Sequence, residues 1–146
     1  MNIVIKFLIM LSVFVYSPLV HAHCQVPCGI YDDHSRVHTM LEDAQTIHKA
    51  CVMINELAVL EDAHSRQQLA RWVRTKEDHA TKIITMISEY YLTQRIKPAQ
   101  NDYLERLNLH HAVILAAVDV KQDTSKQKAN VLTNTIRALM RFYPHV

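Results

Sequence analysis

Residues 37–58 read VHTMLEDAQTIHKACVMINELA, and within them Val37, Met40, Ala44, Ile47, Cys51, Ile54 and Ala58 alternate spacings of three and four without a miss. At 3.6 residues per turn this spacing lays a single apolar stripe along one side of an α-helix, the seam by which a helix packs into a bundle. Asp32 or Asp33, just upstream, offers a carboxylate to the first free backbone N–H groups, which predicts the start of the helix there.

Outward from that helix the pattern repeats. A second helix is predicted from about Ser65 to about Arg95 on a seam of Leu69, Val73, Lys76, Ala80, Ile83, Ile87 and Tyr90, with Trp72 and Tyr91 widening the apolar face. Lys76 interrupts the stripe. Pro98 ends it, and Asp102-x-x-Glu105 has the form of a capping box for a third helix through Leu104, Leu107, His111, Ile114 and Val118. Thr124-x-x-Gln127 then opens a fourth helix carrying Leu132, Ile136, Leu139 and Phe142. Beyond Tyr31 there is no glycine, and the only prolines are Pro98 and Pro144. No alternating strand pattern, repeat or low-complexity tract competes, so residues 32–146 are expected to form an all-α, antiparallel four-helix bundle.

Ahead of the bundle, residues 1–22 have the parts of a secretory signal peptide: Lys6, an apolar run from Phe7 to Tyr16, a Ser17-Pro18 break, and Val20-x-Ala22 at the cut. An apolar run of about ten residues is well short of the roughly twenty that span a bilayer, so cleavage by signal peptidase is expected and a membrane anchor is not. The product is one domain, residues 23–146, exported to the periplasm or the extracellular space, with no membrane span. Its net charge falls from +2 to +1, because Lys6 is the only charged residue removed. Neither that charge nor any motif points to nucleic acid.

Cleavage makes His23 the first residue of His23-Cys24-Gln25-Val26-Pro27-Cys28-Gly29-Ile30-Tyr31, a hook over 23–31. Its α-amine and imidazole, the amide nitrogen of Cys24, and the sulfurs of Cys24 and Cys28 form a dense donor set. Soft thiolates with a deprotonated amide suit a square-planar metal, Ni(II) or Cu(II). Zinc prefers tetrahedral Cys and His sites, and iron-sulfur clusters usually need four Cys where this chain has three. Another reading stays open: a Cys24 to Cys28 disulfide, with Cys51 a buried apolar filler. Pro27 restricts Val26 to extended backbone and can adopt a cis bond that brings Cys28 back towards Cys24, while Gly29 permits a tight exit. Tyr31 either places its phenol near an open face, where it orders water or limits access, or packs against the first helix.

The segment His23 to Tyr31 resembles the nickel hook of nickel-dependent superoxide dismutases, and Arg71-Trp72-Val73 and Thr93-Gln94-Arg95-Ile96-Lys97-Pro98 also look like members of that family. The resemblance implies a homohexamer of four-helix bundles, each with one nickel ion cycling between Ni(II) and Ni(III) to convert superoxide to oxygen and hydrogen peroxide. It implies His23, Cys24 and Cys28 as nickel ligands, Pro27 and Gly29 as the residues that shape the hook, and Tyr31 as the catalytic residue lining the substrate pocket. The His23 imidazole would be bound in the oxidised state and released in the reduced one.

The chain departs from the family in three places. Gln25 stands where an acidic residue is usual. His38 and His79 occupy the places of the residues that orient the axial imidazole, with Glu42 and Asp43 as possible substitutes. A signal peptide stands where the family often has a short leader removed by a dedicated peptidase, and an oxidising compartment would tend to join Cys24 to Cys28 before metal arrives. The rival functions are a non-catalytic exported nickel- or copper-binding protein and a disulfide-closed secreted helical bundle that binds a protein partner.

Overall fold

The computed structural model describes residues 29–145, and all of the regular structure in them is helical. The predicted signal peptide and the hook residues His23 to Cys28 lie outside the described residues. Helix α1 spans Asp33–Leu57, with Asp32 as its N-cap: the Ser35 N–H donates to Asp32 Oδ1 at 3.0 Å. Val37, Met40, Ala44, Ile47, Cys51 and Ile54 are buried as the seam predicts, whereas Ala58 caps the end and is exposed.

Helix α2 spans Ala63–Thr85 and starts two residues before the predicted Ser65, on Asp62, whose carboxylate accepts from the Ser65 N–H at 2.9 Å. The predicted single helix to Arg95 is corrected: Met86–Arg95 is a π-helix. Its wider turn shows in the bond from the Ile96 N–H to the Tyr91 carbonyl at 3.0 Å, five residues apart. The wider turn brings the consecutive Tyr90 and Tyr91, together with Gln94, into the interior. At the other end the seam fades, and Val73 is 40% exposed.

Helix α3 spans Tyr103–Gln122, and here the predicted stripe is turned. His110, Val113, Ala116, Ala117 and Val120 face the core, while Leu104 is 70% exposed and His111 is exposed. Both sides of α3 are apolar, so spacing alone does not choose between them. Ala116 and Ala117 let the neighbouring helices approach closely, and His110 finds a buried partner in Tyr143. Asp102 precedes α3 without a side-chain cap bond; it pairs with Arg106 at 2.8 Å instead.

Helix α4 spans Lys126–Ala138 and closes in a short 3-10 turn, Leu139–Phe142. Its N-cap is Ser125, not the predicted Thr124, which is engaged with Asn55 Oδ1 at 3.0 Å. Leu132, Ile136 and Leu139 are buried as expected, and Phe142 is partly buried.

Each helix packs on two others: α1 on α2 and α4, and α3 on the same two. The break in the second stripe has a physical reason. Lys76 is only 3% exposed, and its Nζ donates to the Val120 and Lys121 carbonyls at 2.6 Å each, placing a cation on the free carbonyl end of α3. None of the described helices is long and apolar enough to cross a membrane. The start of α1, the π-helix and the chain after α4 meet at one end of the bundle, since Tyr91 reaches Asp33 and His34 reaches Tyr143.

Candidate functional site

That end is where residues 29–32 enter the bundle. Gly29 has φ of +78°, in the left-handed region where a side chain is strained, although a Cβ there would meet nothing within 4 Å. Backbone conformation, and not crowding, therefore favours glycine at this position. Two residues on, Tyr31 is 38% exposed and sits on the π-helix. The Arg95 guanidinium carbon lies 4.1 Å from the centre of the Tyr31 ring, and the Tyr90 ring meets it edge-on at 6.0 Å.

Asp33 holds this cradle together. Arg95 donates to its carboxylate from Nε at 2.9 Å to each oxygen and from Nη2 at 2.7 Å. Tyr90 donates its hydroxyl to Asp33 Oδ1 at 2.6 Å, and Tyr91 donates to the Asp33 backbone carbonyl at 2.7 Å. Asp33 and Asp32 were interchangeable as caps in the sequence; in the fold Asp32 caps the helix and Asp33 anchors the π-helix. Burial, followed by the bond to Asp33 and its charge, pushes the Tyr90 phenol up to about 12. Burial likewise pushes Tyr91 far above the ordinary phenol range, and the Asp33 bond raises Arg95. Tyr90 and Tyr91 are therefore protonated donors at neutral pH, not bases.

A cavity of about 600 Å³ opens beside the cradle, walled by Tyr31, Asp33, His34, Arg95, Tyr143 and His145 among others. A second, of about 400 Å³, lies between α1 and α2 on the far side of Tyr90, with Arg36 and Gln94 in its wall. Arg36 also stacks on Tyr90, its guanidinium carbon 4.1 Å from the ring centre.

The predicted orienting histidines fall into separate pairs. His79 Nδ1 lies 2.5 Å from Asp43 Oδ1 in a part-buried hydrogen bond, so one candidate engages the carboxylate offered as its substitute. His38 is exposed, and its Nε2 lies 3.0 Å from Nε2 of His34. Glu42 is exposed. The sequence reading missed Asp33, Arg95 and His34 as members of this end. Asp33 was hidden behind its capping role, and the approach of Arg95 depends on a π-helix that no local periodicity announces.

The third cysteine is resolved. Cys51 is fully buried in α1, a free thiol raised chiefly by burial, and it stands about 27 Å along the helix from Asp33 at 1.5 Å per residue. It is an apolar filler, as the sequence suggested. Among the described residues no group of three or more His, Cys, Asp or Glu side chains could hold a metal ion. The predicted donors His23, Cys24 and Cys28 lie outside the described residues.

The chain belongs to the nickel-containing superoxide dismutases, whose family model matches residues 18–146. It is accordingly an oxidoreductase that acts on superoxide with nickel. Neither the curated proteins nor the solved structures yield a match.

Proposed function

We propose that the mature protein, residues 23–146, is an exported nickel superoxide dismutase in which a hook over 23–31 precedes an antiparallel four-helix bundle. Signal peptidase removes residues 1–22 and frees the His23 amine. His23, Cys24 and Cys28 would hold one nickel ion per chain, with Pro27 and Gly29 shaping the loop. When bound, nickel supplies a one-electron Ni(II)/Ni(III) couple, which thiolate and amidate donors bring towards the range superoxide can reach.

The observation that carries this reading is the seating of Tyr31. Its ring is clamped by Arg95 and Tyr90, which in turn are fixed by Asp33, so the phenol at the end of the hook is pre-positioned at the mouth of a cavity. Superoxide is a small anion, and its conversion to peroxide consumes protons. Backbone N–H groups near Val26 to Gly29 can hold the anion, and the Tyr31 hydroxyl can order water or deliver a proton beside it.

Assembly as a homohexamer is supported by apolar residues left at the surface. Leu104 and Leu115 are 70% and 54% exposed and lie on one side of α3, and Val131 on α4 is 48% exposed.

Nickel content and nickel K-edge absorption of the chain starting at His23 test the ligand assignment. One nickel per chain with two sulfur neighbours is expected, with nickel lost from C24S and C28S. Nickel held without sulfur, or a Cys24 to Cys28 disulfide that persists after reduction and loading, would remove it.

A further inference from the structure

We propose that His34 and His38 form a second metal site, distinct from the hook, that takes a borderline divalent ion such as Ni(II). The two residues are one turn apart on α1, with ring centres 4.6 Å apart and Nε2 atoms 3.0 Å apart. Two imidazole nitrogens bound side by side to one ion at about 2.0–2.1 Å stand about 2.9–3.4 Å from each other. The pair thus has the spacing of two ligands on a single ion before any ion is added.

The proton arrangement supports the same conclusion. His34 Nδ1 lies 2.9 Å from the Tyr143 backbone carbonyl. A carbonyl only accepts, which assigns the proton of neutral His34 to Nδ1 and leaves Nε2 with a bare lone pair aimed at His38. A ligand histidine whose other nitrogen donates to a backbone carbonyl is the usual arrangement in metal sites, because it fixes the tautomer and the ring. Without metal, the His38 Nε2–H donates to His34 Nε2. With metal, the ion binds to the side of the Nε2···Nε2 line, about 2.0–2.1 Å from each nitrogen, and neutral His38 carries its proton on Nδ1, so no net proton is released. Imidazoles suit nickel, copper and zinc and are poor ligands for magnesium or calcium.

A third imidazole stands nearby: the His145 ring is 5.0 Å from that of His34, edge-on to it. It does not converge with the other two on one point. The site is therefore a two-histidine site completed by water, weaker than the hook and quickly exchanging. His34 and His145 both line the 600 Å³ cavity onto which Tyr31 opens. The inference does not depend on the hook ligands or on dismutase activity.

The test is a Ni(II) titration of the chain carrying H23A, C24S and C28S, which removes the predicted hook donors and leaves every core residue in place. Calorimetry gives stoichiometry, and imidazole proton NMR locates the paramagnetic ion. One Ni(II) per chain is expected, broadening the His34 and His38 resonances together while those of His64, at the far end of the bundle, stay sharp. Adding H38A, an exposed position, should weaken binding at least tenfold with an unchanged helical circular dichroism spectrum, and adding H34Q should do the same. No nickel binding, binding unaffected by H38A, or broadening centred on other histidines would overturn the proposal.

Discussion

The guanidinium of Arg95 grips the Asp33 carboxylate through two nitrogens, Nε at 2.9 Å and Nη2 at 2.7 Å, and lays its face on Tyr31 at 4.1 Å. One side chain thus ties the first turn of α1 to the end of the π-helix and seats the tyrosine between them. R95A would leave the Asp33 carboxylate part-buried without its main partner. We expect a loss of about 1–3 kcal/mol in urea unfolding, below the value for a fully buried pair because Arg95 keeps some exposure to water. R95K keeps the charge but not the fork, so it should recover only part of the loss. Unchanged stability in R95A would mean that the pair contributes nothing to the fold.

Tyr90 gives a test on the alkaline side. Its phenol is raised to about 12 in the fold, against about 10 unfolded, so the neutral form is the one the fold favours. Its contribution is complete below pH 10 and is lost as pH rises from about 10 to about 12. Y90F should cost about 1–2 kcal/mol at neutral pH through the lost bond to Asp33. It should also flatten the decline in stability above pH 10, which denaturant curves at pH 9 and 11 would show.

On the acid side the group to watch is His110. It is fully buried, donates Nδ1–H to the Arg106 carbonyl at 2.7 Å, and accepts from the Tyr143 hydroxyl at 3.0 Å. Burial lowers it to about 4, so the fold favours the neutral ring. The stability it confers is present above the unfolded value near 6.5 and lost as pH falls towards 4, by about 2–3 kcal/mol. Y143F leaves His110 Nε2 buried without a donor and should cost about 1–3 kcal/mol at pH 7.5. A flat stability profile between pH 7 and 4 would contradict this account.

Lys76 stands in an apolar stripe because it serves another helix. K76M would complete the stripe but leave the Val120 and Lys121 carbonyls without their cation. We expect destabilisation of about 1–3 kcal/mol in spite of the gain in apolar surface. A variant as stable as the parent would show that the ammonium only fills space.

How much of this was readable in the sequence depends on how local each cause is. The α1 seam was readable because Val37, Met40, Ala44, Ile47, Cys51 and Ile54 follow one alternation of three and four, with Asp43 and Ala50 buried beside it. The face of α3 was not, because His110 and His111 both fit an apolar stripe, and the choice rests on Tyr143, thirty-three residues away. The π-helix was missed for the same reason: what it achieves, Tyr90, Tyr91 and Arg95 converging on Asp33, is visible only in three dimensions. The donors proposed at His23, Cys24 and Cys28 lie within six residues of one another, so that proposal needs no long-range contact. Of the histidines expected to orient His23, His79 meets Asp43 and His38 meets His34, and sequence spacing alone does not announce the contact of His79.

The most direct measurement is superoxide removal by the chain starting at His23, loaded with nickel under reducing conditions, beside copper-loaded and metal-free samples and the nickel-loaded Y31F variant. The account predicts rapid turnover with nickel alone, reduced in Y31F. Tight nickel binding without turnover would contradict it and leave a metal carrier. No nickel binding, with Cys24 joined to Cys28, would leave a structural bundle.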